Sequence, residues 1–354
     1  MPYEFAIDVV SATETSLEDF ETNYLDRKIP VIITDCMKDW RCCREWVLDS
    51  SRKIESPDLD FLSKTFGSSI VPVVNCTTGE KTTMPLSEYC SDMYWERESG
   101  GYTWKDPTKL LYLKDWHFAK EHQQYCAYKT PRYFDDDWLN DWFEKDRGGV
   151  SDSFSDLPER DADYKFCYLG GAGSFTRLHT DVIRSNSWSA QIAGRKEWKL
   201  LDPKYSSFVE NNRGICEMQD FAESEMDSDL IIYVLQYPGQ ILFVPAGWYH
   251  QVVNLDTSLS INHNWVDSSG LNISWQYLSR EHMMAESMID DVRDLVSNEE
   301  FVALVHRNVL LNCGMNKQIF LTMVEFILQY VSSPRRASFG KLFLDRLLPR
   351  DQID

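Results

Sequence analysis

The chain has 354 residues, 43% of them hydrophobic and 13% aromatic, with 12 Trp among them. Such a composition supports a large packed core, as one elaborated domain or two closely packed ones, and excludes a disordered chain. Lys and Arg number 36 against 56 Asp and Glu, a net charge of −20, which repels phosphate backbones and anionic membranes and favours a basic partner.

The nine cysteines form an odd set without a C-x-x-C pair, so reduced thiols are expected rather than a disulfide framework or a zinc cage. Residues Met1 to Asp19 lack a basic and an apolar leader region, and no run approaches the roughly 20 apolar residues of a membrane span. The expected compartment is the cytosol, with the nucleus as the alternative, and neither nucleic acid nor membrane is expected as a direct partner.

Residues 1 to about 110 mix short helical patterns with β-branched runs at Pro30 to Thr34 and Ile70 to Val74, which predicts an α/β N-terminal layer. The aromatic segment Tyr133 to Phe143 is followed by an acidic, glycine-containing stretch, Asp146 to Asp163, expected as an exposed loop. From Tyr164 to Val266 short strands alternate with turn residues. Ser187 to Ala193 places Trp188, Ala190 and Ile192 on one face, Gly194 and Arg195 turn the chain, and Lys196 to Leu201 returns as the second strand of a hairpin. Ile241 to Val244, Trp248 to Leu255 and Ser258 to Val266 supply further strands between turns, so the middle of the chain, 111–267, reads as an antiparallel β barrel or sandwich.

Within it, Glu217 to Asp229 carries six acids and no base, a solvated loop or, more sharply, a lid or a contact for a basic substrate. Residues 268–354 turn helical. Met284, Met288, Val292 and Leu295 recur at spacings of three and four, and Ser297 with Glu300 has the form of a capping box before Phe301, Leu304 and Val305.

Among seven histidines, only His179 has a carboxylate two residues on, Asp181. On a strand, residues i and i+2 project from one face, so both groups can reach one ion. His250, 71 residues downstream in another strand, is the best third ligand. Two imidazoles and one carboxylate on one face of a metal leave positions open, as a non-haem Fe(II) oxygenase requires, whereas zinc is less suited without thiolates. Asn262 and Asn264 share a strand face opposite Ile261 and His263, which suggests a polar pocket wall and makes His263 structural. Lys196 and Lys199 have opposite strand parity, so only one points inward.

The runs Tyr168 to Asp181, Ser187 to Ser189, Gly194 to Trp198 and Phe243 to His250 resemble, in order and spacing, the JmjC family of Fe(II)- and 2-oxoglutarate-dependent oxygenases. That resemblance implies a double-stranded β-helix, the jelly-roll or cupin-like barrel, mainly β with flanking helices. It implies Fe(II) on His179, Asp181 and His250, with 2-oxoglutarate and O2 as cosubstrates. Lys196, Thr176 and Tyr112 match family positions that hold the distal carboxylate of 2-oxoglutarate, and Asn262 and Asn264 would face the same pocket. Lys199 is the decoy.

Val71 to Cys76, Leu111 to His117, Asp137 to Asn140 and Ser260 to Val266 are similar to a lysyl-hydroxylase branch of the family. This implies the translation termination (release) factor as substrate, hydroxylated at C4 of a lysine. Demethylation of a histone or other protein lysine is the rival expectation, and an inactive JmjC scaffold is the second. The apolar C-terminal helices suggest a homodimer.

Overall fold

A computed structural model describes residues 7–48, 55–98, 100–145, 163–330 and 334–347. Of the acidic stretch Asp146 to Asp163, expected as an exposed loop, residues 146–162 lie outside the described residues, and Asp163 is buried rather than exposed. Fifteen strands appear among the described residues: β1 (Asp8–Ser11), β2 (Val31–Thr34), β3 (Ile70–Asn75), β4 (Lys81–Pro85), β5 (Trp95–Glu98), β6 (Gly101–Trp104), β7 (Leu111–Trp116), β8 (Lys165–Gly170), β9 (Phe175–His179), β10 (Asn186–Ala193), β11 (Lys196–Leu201), β12 (Ile231–Gln236), β13 (Ile241–Val244), β14 (Tyr249–Asn254) and β15 (Ser258–Trp265).

The last eight divide between two sheets, as a jelly roll requires. β8, β10, β13 and β15 lie in a nine-stranded sheet of order β1-β2-β13-β10-β15-β8-β7-β3-β4, and β9, β11, β12 and β14 form a four-stranded sheet of order β12-β11-β14-β9. The expected barrel is present. The expected N-terminal layer is less separate than its texture suggests, because β1 and β2 extend the large sheet at one side and β7, β3 and β4 at the other.

Apolar residues from both sheets close the space between them. Ile32, Leu242 and Val244 of the large sheet meet Trp198, Leu200, Val234 and Val252 of the small one in a single buried cluster. At about 25 cal/mol per Å² of apolar surface, this closure is the main force holding the sheets together. Gly194, at φ +69°, makes the tight β10–β11 connection, and a side chain there would meet the Thr257 carbonyl, so glycine is required on both counts.

Two compact units emerge that do not follow chain order. One comprises residues 1–132, 165–180 and 187–263, and holds both sheets except the first residue of β10 and the last two of β15; the other comprises residues 133–164, 181–186 and 264–354. The second is built from helices Trp138–Lys145, Leu271–Met288, Asn298–Cys313, Lys317–Ile327 and Pro334–Leu347. The Ser297–Glu300 capping box forms as expected, each partner satisfying the other's backbone N–H.

The stripe Met284, Met288, Val292 and Leu295 does not form one buried face. The helix ends at Met288 and a 3-10 segment, Asp290–Leu295, follows; Met288 is 72% and Leu295 78% exposed. Leu271, Ser274, Leu278 and Ala285 are the buried positions instead. A change of helix type between Met288 and Asp290 breaks the 3.6-residue period on which the stripe depends.

Candidate metal centre

β14 and β9 pair so that His250 stands directly opposite His179, and the imidazole centroids are 4.2 Å apart. The ligand atoms of His179, Asp181 and His250 all lie within 4.8 Å of one another. Nδ1 of His179 lies 2.8 Å from the Arg177 carbonyl, and Nδ1 of His250 lies 3.3 Å from the Trp248 carbonyl. With Nδ1–H donating to a carbonyl, Nε2 carries the lone pair on each ring, the tautomer a metal needs. Two imidazoles and a carboxylate, without thiolate, fit a ferrous ion with open positions.

Asp181 reaches this cluster by another route than the shared strand face. β9 ends at His179, and Asp181 begins the 3-10 turn Val182–Arg184 in extended conformation, φ −64° and ψ 164°. Ile183 and Arg184 follow at φ +45° and +54°. A β-branched residue in the left-handed region costs on the order of 1–3 kcal/mol; burial of Ile183, 2% exposed, in the apolar core of the helical unit offsets it. The turn that presents the carboxylate is thus held in place by packing.

A bulge in β9 sets the rest of the site. His250 pairs with His179 and Val252 with Thr176, so two β9 residues, Arg177 and Leu178, oppose only Gln251. That extra residue restores Thr176 to the face of His179 although the two are three apart. Leu178 is left on the opposite face, packed with Leu201, Phe221 and Tyr249.

Lys196 and Lys199 face opposite ways, as their parity requires. Lys196, 2% exposed, points inward and donates to Ser260 Oγ at 2.5 Å. Its ammonium lies 5.8 Å from the Tyr168 ring centroid and 6.0 Å from that of Trp198. Lys199 points outward and pairs with Asp220, which fastens the acidic Glu217 to Asp229 segment to the outer face of the small sheet. Burial of Phe221 and Met226 completes that attachment.

No acidic group pairs with Lys196 among the described residues, and burial lowers its pKa to about 7, with repulsion from Lys114 contributing. A buried ammonium without a counter-ion is an anion site in waiting. The walls fit a carboxylate. Ser260, Asn262 and Asn264 share a face of β15, and Asn262 Oδ1 accepts from Ser260 at 2.9 Å and from Ser189 at 3.2 Å. Asn264 is 8% exposed, with Nδ2 3.4 Å from Ser185 Oγ. Tyr112, 3% exposed, sits opposite Gly170, and burial raises the pKa of its hydroxyl, the Asn254 amide offsetting part of the effect. Glycine is needed at position 170, where a side chain would strike the Tyr112 ring.

Two pocket residues escaped the sequence reading. Ser260 shares the parity of Asn262 and Asn264, a signal present in the alternation. Asn254 stands opposite Lys196 across β11 and β14, donates to Ser174 Oγ at 2.7 Å, and keeps a buried Oδ1 without a hydrogen-bond partner among the described residues. It follows His250 by four positions, again one face of one strand. His263 faces away and is structural, its ring tilted against Trp188 with centroids 4.0 Å apart and bonded to Tyr128 at 2.6 Å; burial drives its pKa down.

Comparison with known proteins agrees with this geometry. Residues 17–270 match the family model described as a Cupin-like domain. The chain is 38% identical over 91% of its length to an arginine-specific demethylase, JMJ20, of Arabidopsis thaliana, spanning 70% of that protein. It is 36% identical over 79% of its length to the 2-oxoglutarate and iron-dependent oxygenase JMJD4 of Danio rerio, spanning 65% of it. The Homo sapiens JMJD4 is 34% identical over 79% of the chain, with 66% of that protein spanned. The chain therefore covers about two thirds of the length of these relatives, and with its paired sheets and its His-Asp-His cluster it belongs to the cupin-like JmjC family of iron- and 2-oxoglutarate-dependent oxygenases.

Proposed function

We propose that the protein is a lysyl hydroxylase that adds one oxygen at C4 of a lysine in the translation termination (release) factor, in the cytoplasm or, alternatively, the nucleus. The oxygenase half rests on one observation: three converging ligands, His179, Asp181 and His250, share a barrel with the buried, acid-free Lys196. Resemblance of Val71 to Cys76, Leu111 to His117, Asp137 to Asn140 and Ser260 to Val266 to the lysyl-hydroxylase branch supports the substrate half. The net charge of −20 supports it too, since it suits a basic partner.

Iron, 2-oxoglutarate and O2 supply the oxidising power, with succinate and CO2 as co-products. The chain does the rest by position. His179 and His250 present Nε2 because carbonyls hold Nδ1–H, and Asp181 adds the single negative charge. Lys196, with Thr176 and Tyr112, holds the distal carboxylate of the cosubstrate. Trp198 and the ring of Tyr168 line the interior beside Lys196, where exclusion of water protects a reactive site and a fixed C–H bond replaces a chance encounter.

Protein demethylation is the second reading, favoured by the demethylase name of the Arabidopsis relative, and there hydroxylation of an N-methyl group releases formaldehyde. An inactive scaffold is disfavoured by the full ligand set. A homodimer through the C-terminal helices belongs to the same proposal, motivated by exposed Met288, Leu295 and Leu311.

The test is intact-mass and fragment analysis of the release factor after incubation with Fe(II), 2-oxoglutarate and the protein. One added oxygen on an unmethylated lysine is expected. His179→Ala, folded by circular dichroism, should give no product and no decarboxylation, because two ligands hold ferrous iron poorly. Formaldehyde from a methylated peptide, with an unmodified release factor, transfers the assignment to demethylation.

A further inference from the structure

The sheet carries a second lysine in the pocket. Tyr112 and Lys114 are two residues apart on β7, and the Lys114 ammonium lies 5.7 Å from the Tyr112 ring centroid. The Lys196 ammonium lies 5.8 Å from the Tyr168 ring, and those two rings are 6.0 Å apart. Two ammonium groups therefore occupy adjoining aromatic faces. Neither has an acidic partner at ion-pair distance among the described residues, and Lys114 makes no hydrogen bond there either.

The adjacent acid favours the charge on Lys114 through space without pairing with it, and burial outweighs that help. Asp115 adopts φ +59° where β7 loses register with β8 between Leu113 and Trp116. Its carboxylate accepts the Tyr168 hydroxyl at 2.7 Å instead. Burial lowers the pKa of Lys114, and Lys114 in turn disfavours the charge on Lys196. Like charges kept close in a partly desolvated pocket are costly unless an anion relieves them.

We propose that Lys114 is a second positioning cation for the distal carboxylate of 2-oxoglutarate, closing on it beside Lys196 and making the pocket selective for a dicarboxylate. This rests on the cosubstrate chemistry of the family and not on which protein is hydroxylated. A carboxylate of the protein substrate is the competing occupant, and the experiment separates the two.

The experiment is calorimetric titration of the Mn(II)-loaded full chain with 2-oxoglutarate and with 2-oxobutyrate, which lacks the distal carboxylate. Lys114→Met is expected to weaken 2-oxoglutarate by about tenfold or more, the scale of a charge-assisted contact, and to leave 2-oxobutyrate within about twofold. Lys114→Arg should restore most of the loss. Unchanged 2-oxoglutarate binding with a raised KM for the protein substrate overturns the proposal in favour of a substrate carboxylate. Equal weakening of both ligands overturns it in favour of a general distortion. Wild-type protein that binds neither ligand refutes the cosubstrate itself, a separate failure.

Discussion

Lys196 is where stability and function pull apart. Its folded pKa of about 7 lies below the ordinary 10.5, so between those values the unfolded chain holds a proton at this site that the folded chain lacks. Unliganded stability therefore rises with pH across that window, and the full penalty is present below about pH 7. Lys196→Met removes the penalty, and we expect it to stabilise the unliganded protein by on the order of 2 kcal/mol at pH 7 while abolishing tight 2-oxoglutarate binding. The wild type should take up a proton on binding above pH 7, since a carboxylate requires the ammonium. Its affinity should fall by up to about tenfold per pH unit from 7.5 to 9. Titration in buffers of different ionisation enthalpy measures the proton uptake, and a flat dissociation constant across that range contradicts the role given to Lys196.

β11 shows how one strand serves two faces. Lys196, Trp198 and Leu200 look into the barrel, whereas Lys199 and Leu201 hold the Glu217 to Asp229 segment outside through Asp220 and Phe221. Lys199→Ala should therefore leave the 2-oxoglutarate dissociation constant within about twofold and speed proteolysis within residues 217–229. Lys196→Ala should weaken the cosubstrate by roughly 10- to 150-fold. Equal effects of the two substitutions on cosubstrate binding contradict the division of faces. This much was legible in the sequence, because alternation has a period of two and needs no distant information. The β9 bulge was not, since Arg177 and Leu178 are unremarkable as a pair and the extra residue is visible only against Gln251 of β14. For the same reason Asp181 was expected on the strand face and stands just beyond it. Strand exchange between the N-terminal layer and the barrel was hidden too, because β2 and β13 are separated by some 200 residues of chain and pair through shape rather than local pattern.

At the scale of the molecule, a net charge of −20 attracts a basic protein, but salt screens charges beyond about 8 Å at physiological ionic strength, so acids near the site count for more than the total. The exposed Glu223, Glu225 and Asp227 are carried by a segment whose buried side packs with Leu178 and Tyr249, the chain neighbours of His179 and His250. Asp220 is already engaged by Lys199, so these three belong to the five carboxylates left for a partner on that surface, with Glu217 and Asp229 exposed at its two ends. Glu223→Gln, Glu225→Gln and Asp227→Asn together should raise KM for a basic protein substrate roughly threefold or more at low salt, with the difference shrinking as salt is added. KM for 2-oxoglutarate should not move, because Lys196 lies on the inner face of the sheet. Steady-state assays at two ionic strengths read both constants. A KM for the protein substrate that is the same in wild type and triple variant at both salts reduces the segment to a solvated cover, and leaves the preference for a basic substrate to the pocket alone.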